Sequence, residues 1–286
     1  MISTRAVASA AGSVLVLASL AGSGPAPAAS RQADELVRER ARVALHALDT
    51  LGSALEPALE AAREGSALAV QGDEAPGPRL EAAAESVEGA AEEADDAQLA
   101  IAALDGALRA RDPDAPVLPS VVTTEELAAI AGELRAAATG ADAVAEMRRR
   151  SSSVLEAIDR SLATLIDGRY DAARAELDAA RAEHDALVDA GGSSDALPVW
   201  LGATDAMITL VTTLIDATEA DDSATAAAAS AEFADLAEDA ATADRALQIA
   251  ISEGADSATR AGVARLAGAL SAIEELRATI ESVVAS

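Results

Sequence analysis

Apolar residues recur along this chain in alternating steps of three and four. Val37, Ala41, Ala44, Leu48, Leu51, Leu55, Ala58 and Ala62 make one series. Leu80, Ala83, Val87, Ala90, Ala94, Ala97, Ile101, Leu104 and Leu108 make a second. A third follows Thr123-x-x-Glu126, the residue pattern of a capping box, and runs Leu127, Ile130, Leu134, Ala137, Ala141, Val144, Arg148, Ser151, Leu155, Ile158, Leu162, Leu165. Spacing near 3.5 residues over several heptads predicts long helices lying side by side. Tyr170, Ala173, Leu177, Ala180, His184 and Leu187 start another run after Gly168.

The C-terminal part reads as three further helices, about 198–220, 224–253 and 256–284. Phe233, Leu236, Ala240, Ala243, Leu247 and Ile251 line the second, and Val263, Leu266, Leu270, Ile273, Ile280 and Val284 the third. Stretches 71–78, 111–120 and 190–198, rich in Pro, Gly and Ser, read as loops. The predicted fold is therefore all-α: long antiparallel helices in a helical bundle or coiled-coil-like assembly, with a C-terminal three-helix unit. The expected division is a signal peptide at 1–28, a long-helix bundle at 29–190 and the three-helix unit at 195–286.

Two places disturb the pattern. Arg148 occupies a seam position within "MRRRSSS"; a buried, unpaired guanidinium is costly, so either the packing loosens there or Arg148 pairs with a buried carboxylate, and a bundle end or kink is expected, with a binding site as the alternative. The other is "LPVWLGATDAMITLVTTLIDATEADD", residues 197–222, apolar enough to raise the question of a membrane span. Leu197, Trp200, Leu201, Thr204, Met207, Ile208, Val211, Leu214 and Ile215 share one face, and Asp205, Thr209, Thr212, Asp216 and Glu219 the other. A carboxylate near the middle of a span is costly, so this is expected to be a core-facing amphipathic helix.

Composition sharpens the picture by exclusion. The chain has no Cys, Lys or Asn. That removes disulfides, thiolate metal sites, Schiff-base lysines, Walker phosphate loops and N-glycosylation sequons. A net charge of −28 repels nucleic acid and anionic membranes. The carboxylates are spread as solvated helix faces, with weak divalent-cation binding at Asp95-Asp96 or Asp221-Asp222 as the sharper alternative. The first residues are a separate object. Arg5, the apolar run 6–21 and the small residues around Ala26-Pro27-Ala28 have the layout of a secretory signal, and about 16 apolar residues fall short of the ~20 that span a bilayer. A cleaved signal is expected, a retained N-terminal anchor being the alternative.

"GRYDAARAELDAA", residues 168–180, resembles the second helix of a tetratricopeptide repeat, with Gly168, Tyr170, Ala173, Leu177 and Ala180 at the small, aromatic, small, large and small positions. Arg160 and Thr164 stand where the preceding helix of that repeat needs large apolar residues, and no second copy occurs, so no repeat array is implied.

Candidate chemistry is sparse. His46 is expected to be exposed, opposite its helix's seam, and His184 to be a hydrogen-bonded interior residue. No His-Glu-x-x-His, Gly-x-Ser-x-Gly or paired Glu-x-x-His motif occurs. The expectation is an exported, acidic protein without catalysis, cofactor or metal, structural or protein-interacting at the cell envelope or outside the cell. Its partner would be another protein or a second copy, and no helix would span the membrane after signal cleavage. The alternative is an apolar small-molecule site near Trp200, Met207 and Phe233. N-terminal sequencing of the exported protein is expected to begin at Ala29; a start at Met1 would refute cleavage.

Overall fold

Helix ends are set by local chemistry that can be named residue by residue. The Thr123 hydroxyl accepts from the Glu126 backbone N–H at 3.1 Å, and the Glu126 carboxylate accepts from the Thr123 N–H at 2.8 Å, so the capping box forms as expected. At the other end of that helix Gly168 takes φ +71°. Its N–H bonds the Leu165 carbonyl at 2.9 Å and Arg169 N–H bonds the Thr164 carbonyl at 3.1 Å, which closes a Schellman turn. Asp221, at φ +57°, makes the same turn without glycine: Asp221 N–H bonds Thr218 O and Asp222 N–H bonds Ala217 O. Asp222 then caps the next helix through Thr225, whose hydroxyl and N–H hold its carboxyl below the usual range.

The computed structural model describes residues 26–71, 75–191 and 194–285, with side chains from residue 31. Among these are seven helices and no strand: α1 (Ala26–Gln71), α2 (Gly77–Gly89), α3 (Ala91–Arg111), α4 (Thr124–Ile166), α5 (Tyr170–Ala190), α6 (Ala196–Glu219) and α7 (Ser223–Ala285). The chain is an all-α bundle of long antiparallel helices. Cross-helix pairs fix the directions: Asp34–Arg111 and Glu64–Arg79 link α1 to α3 and α2, Arg160–Glu176 links α4 to α5, Arg174–Asp216 links α5 to α6, and Asp49–Arg277 links α1 to α7. Exposed pairs of this kind contribute about 0–1 kcal/mol each, so they set register more than stability.

The buried residues fall into two cores. One is built by α1, α2, α3, the first half of α4 and the second half of α7. The other comes from the second half of α4, α5, α6 and the first half of α7. Each is a four-helix arrangement, with α2 and α3 together acting as one helix interrupted at Gly89–Ala90. The cores therefore divide across α4 and α7, not at the loop near residue 190, and the expected C-terminal three-helix unit is replaced by two helices. The predicted break near residues 253–256 is absent: α7 is continuous for 63 residues, about 95 Å. A glycine inside a helix costs only about 1 kcal/mol, whereas beyond Gly254 the continuing helix buries Ala255, Thr259, Leu266 and Ile273.

The apolar series of α1 and of α2–α3 is buried throughout. In α4 the seam drifts after Ala141, and Val154, Ala157, Ser161 and Thr164 join the buried set because the second half of α4 packs against α5, α6 and α7. The tetratricopeptide-like residues Ala173, Leu177 and Ala180 form the inner face of α5, opposite a helix of 43 residues. Of the expected signal, residues 1–25 lie outside the described residues. Ala26-Pro27-Ala28, expected at the end of the signal, form the first turn of α1, where proline is tolerated.

Between the two cores lies a polar belt. Ser66 and Thr259 share a hydroxyl hydrogen bond at 2.8 Å, and Gly77 N–H donates to Asp142 Oδ1 at 2.8 Å. Arg148 sits in this belt, so its place in the seam marks the junction of the cores, and α4 runs through it without interruption. One guanidinium nitrogen, Nη2, donates to the Val70 carbonyl at 3.4 Å and to Ser252 Oγ at 3.3 Å, while Nη1 is buried without a partner. Beside it Arg150 joins Glu146 to Glu183 of α5, and the Glu146 carboxyl is held down to about 2 by the guanidinium of Arg149 and then that of Arg150. Small residues let helices approach closely here. A Cβ built on Gly65 of α1 would meet Leu80 Cγ of α2 at 2.8 Å. Gly65→Val is expected to lose about 1–3 kcal/mol, the usual cost of overpacking, in chemical denaturation followed by circular dichroism; an unchanged midpoint would show that α1 and α2 can separate without cost.

Candidate functional site

Trp200 is fully buried on α6, in the middle of the second core. Its Nε1–H donates to Asp244 Oδ1 of α7 at 3.2 Å, which satisfies the one polar atom of the ring. Most of its face is as expected: Leu197, Thr204, Met207, Ile208, Val211 and Ile215 are buried and Asp205, Thr209, Asp216 and Glu219 exposed, while Leu201, Leu214 and Thr212 are half-buried. Thr204 keeps its hydroxyl satisfied by donating to the Trp200 carbonyl at 2.9 Å. Among the described residues α6 is the one helix long and apolar enough to cross a membrane by length and composition. In this fold its apolar stripe is part of a core shared with α4, α5 and α7.

Next to Trp200 the surface opens into a groove of about 380 Å³, lined by Leu155 and Asp159 of α4, Met207 of α6, and Ala237, Ala240, Ala241, Asp244 and Arg245 of α7. Of the three residues singled out from the sequence, Met207 lines this groove. Trp200 stands behind it, linked through Asp244, and Phe233 is half-buried against the same core without lining the groove. The alanines explain the cavity. Where α7 presents Ala237 and Ala240 toward Met207, no side chain reaches far enough to fill the gap between helices. A count of alanines at steps of three and four on α7 signals the opening, but the α4 wall depends on tertiary packing.

A second groove, about 510 Å³, lies between α1 and α3 in the other half of the molecule. Val43, Ala47, Leu99, Ala100 and Ala103 give it apolar walls, and Arg40, His46, Glu93 and Asp96 give it polar ones. Val43 is 46% and Leu99 69% exposed, so two large apolar side chains stand in solvent on opposite walls. Glu93 Oε2 is buried with no hydrogen-bond partner, an arrangement that costs free energy until a donor arrives. Sequence reasoning missed this groove because the seam of α1 was counted and its flanking positions were not. His46 is exposed as expected, on the groove wall.

His184 is buried on the inner face of α5, with Nε2 3.0 Å from the Leu201 carbonyl, an interhelical hydrogen bond of the kind that fixes register. Asp95 accepts from the Thr124 hydroxyl, and Asp221 and Asp222 build the turn into α7. One carboxylate of each acid pair thus has a structural partner, Asp95 in Thr124 and Asp222 in Thr225, and among the described residues no three His, Asp or Glu side chains gather with metal-binding geometry. Comparisons with family models, with curated proteins and with solved structures find no match to this chain.

Removing the Trp200 ring tests how much of the second core rests on it. Trp200→Ala is expected to cost about 3–5 kcal/mol in denaturant unfolding followed by far-ultraviolet circular dichroism, with Trp200→Phe losing less. Equal stability of wild type and Trp200→Ala would contradict the packing described here.

Proposed function

We propose that this protein is a non-catalytic interaction module, exported to act at the cell envelope or outside the cell, and that the α1–α3 groove receives a helix from a partner protein. The observation that carries this reading is the groove's own make-up: exposed Val43 and Leu99 on facing walls, over a buried Glu93 oxygen that lacks a donor. Parallel walls from two helices suit the apolar stripe of a third. An Arg or Lys on that stripe would supply the donor for Glu93 and match the acidic surface. A second copy is a poorer occupant, since −28 charges on each chain repel.

A photo-crosslinking residue at Leu99 tests the proposal, with the same residue at Ile249, 60% exposed on α7, as the control. Crosslinking in an envelope preparation is expected to give a discrete heterologous adduct from position 99 and none from 249. Adducts from both positions in equal yield, or only homodimers from 99, would refute the partner-helix reading.

A second reading has its own observation. The Met207 groove has an apolar floor, falls within the usual range of small-molecule pockets, and lies one side chain away from the single tryptophan. It supports binding of a compact apolar molecule there.

A further inference from the structure

The polar residues around the Met207 groove are not evenly matched. Asp159 stands on its α4 wall and Asp244 on its α7 wall. Asp244 accepts the Trp200 indole N–H, and Asp159 makes no hydrogen bond or ion pair with the described residues. One cation also lines the groove, Arg245, yet it neutralises neither acid. Its Nε donates to the Ala241 carbonyl at 3.1 Å and its Nη2 to Thr242 Oγ1 at 3.2 Å, both on its own helix. The groove therefore combines an apolar floor of Leu155, Met207, Ala237 and Ala240 with two carboxylates that make no ion pair, against one arginine turned to its own helix, on a chain already at −28.

We propose that the groove between α4, α6 and α7 binds small amphiphilic cations, molecules with a compact apolar body and one ammonium group. This rests on the reading of the groove as an apolar ligand site and adds the charge of the ligand. The apolar body displaces water from Met207 and the alanines, where burial is favourable in proportion to area. The ammonium sits at the mouth, within the field of Asp159 and Asp244. A neutral ligand would gain only the first term, and an anion would meet two carboxylates. Because the Asp244 carboxylate is hydrogen-bonded to the indole N–H, a cation arriving at Asp244 alters the electrostatic surroundings of the only tryptophan, so binding reports itself in Trp200 emission.

Three probes of equal chain length separate the contributions: octylamine, 1-octanol and octanoate, each titrated into the full protein at low ionic strength. Trp200 fluorescence and equilibrium dialysis are the two readouts. Octylamine is expected to bind at least tenfold more tightly than octanol, to weaken as salt rises, and to shift Trp200 emission; octanoate is expected to bind least. In the double variant Asp159→Asn, Asp244→Asn, octylamine affinity should fall to the level of octanol. Asparagine at 244 keeps a carbonyl acceptor for the indole, and the thermal melt of the variant, run in parallel, reports whether the fold is kept. Equal affinity for octylamine and octanol would overturn the cation assignment and leave the apolar site standing. No saturable binding of any probe would overturn both. Octylamine binding that survives in a folded double variant would place the amine elsewhere on the acidic surface and would also overturn the proposal.

Discussion

The antiparallel pairing of α4 and α7 is the constraint on which everything else depends. These are the helices that enter both cores, and each changes partners halfway along: α4 leaves α2 for α5 and α6, while α7 leaves α6 for α1. Close approach along the pair depends on small residues. A Cβ on Gly262 of α7 would lie 3.0 Å from Leu134 Cδ2 of α4, at the limit of contact. Where the partners change, apolar packing gives way to the polar belt of Ser66, Thr259, Asp142 and Arg148. Buried polar groups lose free energy unless they are paired, so the register of α4 on α7 that pairs Arg148 Nη2 with Ser252 is favoured over registers that would break that bond. The same pairs that interrupt the core thereby specify where each half begins.

Alanine has a double consequence in this architecture. As the strongest helix former it supports helices of unusual length, and as the smallest apolar side chain it brings them close together. Each alanine buries little area, and stability must accumulate over many positions. Its other effect is on the surface. Two helices meeting through alanines leave valleys beside the contact, and both grooves have alanine in their walls, Ala47, Ala100 and Ala103 in one and Ala237, Ala240 and Ala241 in the other. The binding surfaces suggested for this protein are a geometric by-product of how its helices pack.

Much of the fold was legible in the sequence because its signals are local and periodic. The buried stripes of α1, of α2–α3 and of α6 follow from counting, and the start of α4 from two residues, Thr123 and Glu126. The continuity of α7 was not legible. Glu253-Gly254 looks like a helix end, and distant partners such as Leu134, Ser66 and Asp49, which meet α7 beyond that point, keep the helix going. The division of the cores was missed for the same reason, since it depends on α7 returning to α1. Of the sites, Met207 and Trp200 stood out by being large in a chain of small residues. Asp159, Asp244 and Glu93 did not, because among 49 acids nothing in the sequence distinguishes a carboxylate at a groove from one on an open face.

A single helix serving both cores also orders events in time. Among the described residues every other helix precedes α7, so neither four-helix arrangement can close until this 63-residue helix is available. Before then, α1 to α3 with the start of α4, and α5 and α6 with its end, are two open troughs of apolar surface. Closure requires contacts between residues as far apart as Asp49 and Arg277, and such non-local contacts form slowly. A chain emerging from its N-terminus therefore stays unclosed until α7 has followed the other helices. Like charge repels, so a net charge of −28 opposes contact between half-built troughs in that interval, until one helix seals both.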